Sequence, residues 1–194
     1  MMWLRGMLLS ACLMGTAAWA ATEVPTPPLP PAALEGAPGL QPRGQGSFRW
    51  FGLHIYDAAL WLPASPAVSP APPAAAPGFD ISQPLVLRLR YARTLKGSDI
   101  AQRSIEEIER LGLGDAARRA GWLETMRKLF PDVSRGTTLT GVHLPGRGAR
   151  FFLDQRLLGE VPDEAFSRAF FAIWLDARTS APALREALLG KAPP

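Results

Sequence analysis

Four polar side chains fall inside the most apolar stretch of this 194-residue chain: Arg49, His54, Tyr56 and Asp57 lie between Phe48 and Leu62. An arginine drawn into an apolar environment needs a partner, because an unpaired charge away from water is costly. Two arrangements would satisfy it. One is an internal ion pair, Arg49 with Asp57 or another carboxylate. The other is a cavity in which Arg49 and the Tyr56 hydroxyl meet an anionic or phenolic ligand head. The planar guanidinium suits that role because it grips a carboxylate through two parallel hydrogen bonds. Apolar walls would hold the rest of the ligand. His54 fits as a satisfied core histidine or as a cavity-lining group. The candidate ligand-binding residues are therefore Arg49, Tyr56 and His54, with Arg49 the electrostatic group if the protein is an enzyme.

Other chemistry has little to stand on. The two histidines, His54 and His143, have no metal-ligand spacing, so neither a metal nor another cofactor is expected. No P-loop and no G-x-S-x-G elbow occurs. Gly44-Gln45-Gly46 precedes a strand pattern instead of opening a helix, and reads as a turn. Glu106, Glu107 and Glu109 read as a solvated acidic helix face, and His143 as a residue on an exposed strand face. The formal charge is +4 and the pI near 9.8, but the basic residues form no dense run, so no nucleic-acid partner is expected.

The elements that must position these groups follow from periodicity. Gly52 marks a bend between two short strands within Ser47 to Leu62. Leu85 to Arg93 alternates, with Leu85, Leu87, Leu89 and Tyr91 facing inward. Val86, Arg88 and Arg90 then face water. Ser98 is expected to cap a helix carrying Ala101, Ile105 and Ile108 on one face. Trp122, Met126, Leu129 and Phe130 mark a second helix. Strands are expected over 137–144, 149–153 and 157–161. A helix opened by Pro162 is apolar nearly all round, from Phe166 to Leu175, and should be central. Ser180 starts a last helix, with Leu184 and Leu188 inward and Gly190 as its stop. The pattern is α+β: a largely antiparallel sheet with a layer of helices on one side.

The N-terminus has a different composition. Arg5, an apolar block from Gly6 to Met14, and Ala18-Trp19-Ala20 read as a secretory signal (1–20) cleaved after Ala20. This places the protein in the periplasm or outside the cell. The alternative is a lipoprotein anchored at Cys12, the single cysteine, within Leu9-Ser10-Ala11-Cys12. The apolar run falls short of the ~20 residues that span a bilayer, so no transmembrane span is expected after cleavage. Fourteen of the 20 prolines lie in two stretches, 25–42 and 63–84. The first belongs to a Pro/Ala-rich leader (21–42), extended and solvated. The second reads as a loop insertion (63–84) within a domain over 43–191.

Arg49-Trp50-Phe51-Gly52 and Tyr56-Asp57-Ala58-Ala59-Leu60-Trp61 resemble the start of the bacterial chalcone isomerase-like family. Phe170-Phe171-Ala172-Ile173-Trp174-Leu175-Asp176 and Leu188-Leu189-Gly190 are similar to its later blocks, so the resemblance covers about residues 40–190. It implies the chalcone isomerase fold, with a cleft between sheet and helices. Members of that superfamily include plant enzymes that close a flavanone ring, and fatty-acid-binding proteins without that activity. By position, Arg49 matches the cleft arginine. Tyr56 falls where the lipid binders have a tyrosine and the enzymes a threonine. The enzymes' helix tyrosine and asparagine fall on Ile100 and Glu107, which removes groups that would organise the substrate oxygen. The expectation is an exported, non-enzymatic binder of a small amphipathic anion, such as a fatty acid. The alternatives are an intramolecular lyase or isomerase acting on an enone, and an envelope interaction protein without a ligand. Neither the ligand nor any protein partner is named by the sequence.

Overall fold

A computed structural model describes residues 28–35, 37, 39–64 and 81–190. Six strands form one antiparallel sheet in chain order: β1 (Leu40–Trp50), β2 (Leu53–Pro63), β3 (Leu85–Tyr91), β4 (Thr138–Leu144), β5 (Gly148–Leu153) and β6 (Arg156–Val161). Helices α1 (Gly97–Arg110) and α2 (Ala116–Leu129) are inserted between β3 and β4, and α3 (Glu164–Leu175) and α4 (Pro182–Leu188) follow β6. This is the α+β layer arrangement that the periodicity predicts. Among the described residues no helix is long and apolar enough to cross a membrane. The signal-like segment, Cys12 and most of the loop between β2 and β3 lie outside the described residues.

The helices cover one face of the sheet. Leu60, Leu85, Leu87, Leu89 and Phe151 from the strands meet Ile108, Met126, Phe166 and Phe171 from the helices. α3 is buried on almost every side, as its all-round apolar sequence requires. Its Phe170 ring lies 5.1 Å from Phe151 of β5, and its Phe166 ring lies 6.0 Å from Trp122 of α2 (centroids), so α3 ties the sheet to a neighbouring helix.

Several local expectations are corrected by what packs where. Gly44 and Gly46 are not in a turn but within β1, under α4. A Cβ at Gly44 would lie 2.1 Å from the carbonyl oxygen of Ala187, so only glycine lets the helix lie on the strand. Ser98 does not cap α1. The helix starts one residue earlier, and the Asp132 carboxylate accepts from the Gly97 amide at 2.9 Å. His143 is fully buried, not exposed. Its Nδ1 lies 2.7 Å from the Ser167 hydroxyl on α3, and its Nε2 lies 3.2 Å from the Ile81 carbonyl just before β3.

The opposite face of the sheet is not wet. Val86, Val142, Leu144 and Phe152 form a second apolar cluster with Ala33 and Ala37 of the leader, whose Pro31–Ala33 segment is a turn of 3₁₀ helix. Arg88 is 4% exposed here; it donates to the Pro28 carbonyl at 2.8 Å and lies over the Trp61 ring at 5.2 Å. Arg150 donates to the Glu35 carbonyl at 3.2 Å. Part of the leader is therefore a strap over the sheet, and the packed unit reaches back to at least Pro28. Pro31 suits the first position of the 3₁₀ turn, because its fixed φ is pre-organised for it and no amide donor is lost there. The strand over Leu40–Trp50 likewise begins ahead of residue 43, with Pro42 tolerated because β1 is an edge strand.

Candidate functional site

A cavity of about 340 Å³ lies between the β1–β3 end of the sheet and helices α1 and α3. Its floor is apolar, from Leu89, Leu139, Phe170 and Ile173, and Tyr56 and Tyr91 rise from neighbouring strands. Trp50 lines the cavity and is still 46% exposed, so it marks the mouth. The Phe48 and Tyr56 rings stack at 5.1 Å, and Tyr56 meets Tyr91 edge-on at 6.0 Å.

The polar groups of the cavity are few and defined. Trp174 Nε1 donates to the Tyr56 hydroxyl at 3.0 Å. That leaves the Tyr56 proton, and the Tyr91 hydroxyl, without a protein acceptor among the described residues. Burial pushes both phenols well above the ordinary tyrosine range, so both stay protonated and act as donors. At the mouth, Arg103 of α1 lies over the Trp50 ring at 5.0 Å. Its guanidinium donates to Glu107 at 2.5 Å and to the more exposed Glu106 at 3.3 Å. Arg110 reaches Glu107 from the other side at 2.8 Å. A guanidinium has five N–H donors, and these contacts use two of those on Arg103, which leaves others for a ligand.

The sequence candidates separate in space. Tyr56 is in the cavity. Arg49 is exposed on the edge strand and is not among the lining residues, and Asp57 pairs with His54 and not with Arg49. β1 alternates, and the inward residues here are Phe48 and the half-buried Trp50, which turns Arg49 outward. His54 is partly exposed outside the cavity. It bonds Asp57 at 2.8 Å, and Ser47 donates to the same carboxylate oxygen at 2.6 Å. The cavity's cation is Arg103. Glu107, expected on a solvated face, is 5% exposed. The signal was present: Ile100, Ser104 and Glu107 recur at i, i+4 and i+7, a stripe beside the core stripe of Ala101, Ile105 and Ile108. Its polar composition disguised it as a surface.

Among comparisons with known proteins, the profile of the family described as Chalcone isomerase-like matches residues 21–190. The chain belongs to the chalcone isomerase-like family. An uncharacterized protein of Haemophilus influenzae is 31% identical over 151 residues, 78% of this chain and 68% of that protein. The crystal structure of a fatty-acid binding protein of Arabidopsis thaliana superposes with a TM-score of 0.61 at 14% identity, over 79% of this chain and 88% of the other. At that identity the likeness concerns the fold. Within this family's cleft, the two positions assigned by resemblance to the enzymes' tyrosine and asparagine, Ile100 and Glu107, do line the cavity here.

Proposed function

We propose that this member of the chalcone isomerase-like family binds a small amphipathic acid, such as a fatty acid, without catalysing a reaction. The observation that carries the reading is the pair of phenol donors, the half-buried Tyr56 and the buried Tyr91, in an apolar cavity with Arg103 at its mouth. A ligand oxygen accepting from the phenols would satisfy both, and apolar chain would fill the rest. At about 340 Å³ the cavity stands near the lower end of ligand-site volumes, which favours a short or medium chain. The fatty-acid binding named for the Arabidopsis structure supports the same class. An enone cyclase would need groups that organise the reacting oxygen and water. Ile100 offers none, and Glu107 is held by two arginines, so the geometry favours binding. We further propose export, on the signal-like segment ending at Ala20; N-terminal sequencing of the protein from a periplasmic fraction tests it.

The binding test is mass spectrometry of lipid extracted from the purified protein, with displacement of a fluorescent fatty-acid analogue. Carboxylic acids should be recovered from wild type and lost from Ile100→Trp, which fills the cavity. Protein free of lipid, and an analogue bound equally by both variants, would reject the reading.

A further inference from the structure

The turn between β1 and β2 breaks a local rule at an exposed position. Trp50 pairs with Leu53, so Phe51 and Gly52 form a two-residue loop, with φ of 45° and 78°. A loop with both central residues at positive φ takes asparagine or aspartate followed by glycine, because a bulky side chain is strained there. Here the strained position holds phenylalanine, 89% exposed. Its neighbours Trp50 and Leu53 are 46% and 52% exposed. Among the described residues the aromatic partner of Phe51 is Trp50, at 5.1 Å, so folding gains little from the ring. Strain kept without a packing return points to function outside the fold.

We propose that this hairpin tip inserts into the surface of a lipid bilayer rich in anionic headgroups, with the mouth of the cavity facing the membrane. Three large apolar groups at one rigid tip, one of them a tryptophan, match the composition of interfacial anchors. The charges complement this partner. Arg49 is exposed next to Trp50 on β1. The Ala92 amide bonds the Ile55 carbonyl at 2.8 Å, which brings the exposed Arg93, and Lys96 beyond it, to the same end of the sheet. Asp99 lies further along on α1. Basic residues beside an inserted tip are attracted to anionic lipid. A second copy of the chain fits less well. Three partly exposed side chains offer roughly 300–400 Å², taking about 150–250 Å² for each large side chain. A stable protein interface needs about 800 Å² from each partner. Trp50 belongs both to the tip and to the cavity lining, so insertion would bring the cavity mouth to the source of an amphipathic ligand. The surface itself stands whatever the cavity holds.

Phe51→Asn separates the proposal from a role in folding, because asparagine suits the turn better than phenylalanine. The purified protein would be co-sedimented with phosphatidylethanolamine–phosphatidylglycerol vesicles and with phosphatidylcholine vesicles. Wild type should prefer the anionic vesicles. Phe51→Asn and Leu53→Ser should each partition about tenfold less or weaker still, with melting temperature unchanged or higher for Phe51→Asn. Arg49→Glu should remove the preference for anionic lipid, and Ile100→Trp, whose cavity is filled, should bind vesicles as wild type does. Equal sedimentation of wild type and both tip variants would overturn the proposal. A concentration-dependent dimer in sedimentation velocity, lost in Phe51→Asn, without vesicle binding would assign the tip to self-association instead.

Discussion

Tyr91 and Tyr56 combine a stability role with the proposed binding role, and pH separates them. Burial raises both pKa values above the ordinary 10.0. A group whose folded pKa is raised contributes stability that is complete below the unfolded value and is lost as pH rises toward the folded one. Stability should therefore fall above about pH 10, and Tyr91→Phe should flatten that fall in alkaline denaturation curves while weakening ligand binding at neutral pH. His143 works in the other direction. Burial, helped by Arg168, lowers its pKa against the opposing effects of the Ile81 carbonyl and Glu164. Its contribution is complete above the ordinary 6.5 and drains away as pH falls below it. Melting temperatures between neutral and mildly acidic pH should show this slope, and His143→Gln should reduce it. At the mouth, Arg103→Ala would leave Glu107 with one arginine instead of two. Affinity for a carboxylate ligand should fall about tenfold, the effect of a lost charge-assisted hydrogen bond, whereas Arg49→Ala should not change it. Titration of both variants with the same fatty acid would decide which arginine serves the site.

At the scale of elements, the strap and the edge strand carry the sharpest expectations. Ala33 is fully buried between the leader and the second face of the sheet. Ala33→Asp would force a carboxylate into the apolar cluster of Val86, Val142 and Phe152, and should cost about 3 kcal/mol or more in chemical denaturation. A solvated leader would absorb the same change without effect. The strands and the four α-helices were legible because their apolar residues recur with a period of 2 or near 3.6. The strap was not, because prolines and alanines have no such period. Its role depends on Val86, Val142 and Phe152, which become one surface only when β3, β4 and β5 pair. Gly44 and Gly46 misled for a related reason. A glycine under a helix and a glycine in a turn look alike until α4 is in place.

For the whole molecule, the proposed binding makes the cavity a linkage device. A ligand that binds only the folded state stabilises it by about 2.7 kcal/mol at a hundredfold excess over Kd. In a chain of this size that is a rise of roughly 5–10 °C in melting temperature. Medium-chain fatty acids should produce it in wild type and not in Ile100→Trp. The hairpin tip places the same cavity at the end of the molecule bearing Arg49, Arg93 and Lys96, so its loading and its surface charge belong to one geometry.

The sequence by itself determined the α+β order, the central α3 and the setting of Tyr56 in an apolar strand, and the family resemblance rested on those same blocks. These follow from periodicity and composition, which are local. Tertiary structure alone decided which arginine meets the cavity. Arg49 and Arg103 are equally charged, and only the outward turn of one at an edge strand and the docking of α1 beside Trp50 tell them apart. It decided also that Glu107 and His143 are buried, because burial belongs to the surfaces that close over a residue and not to the residue itself.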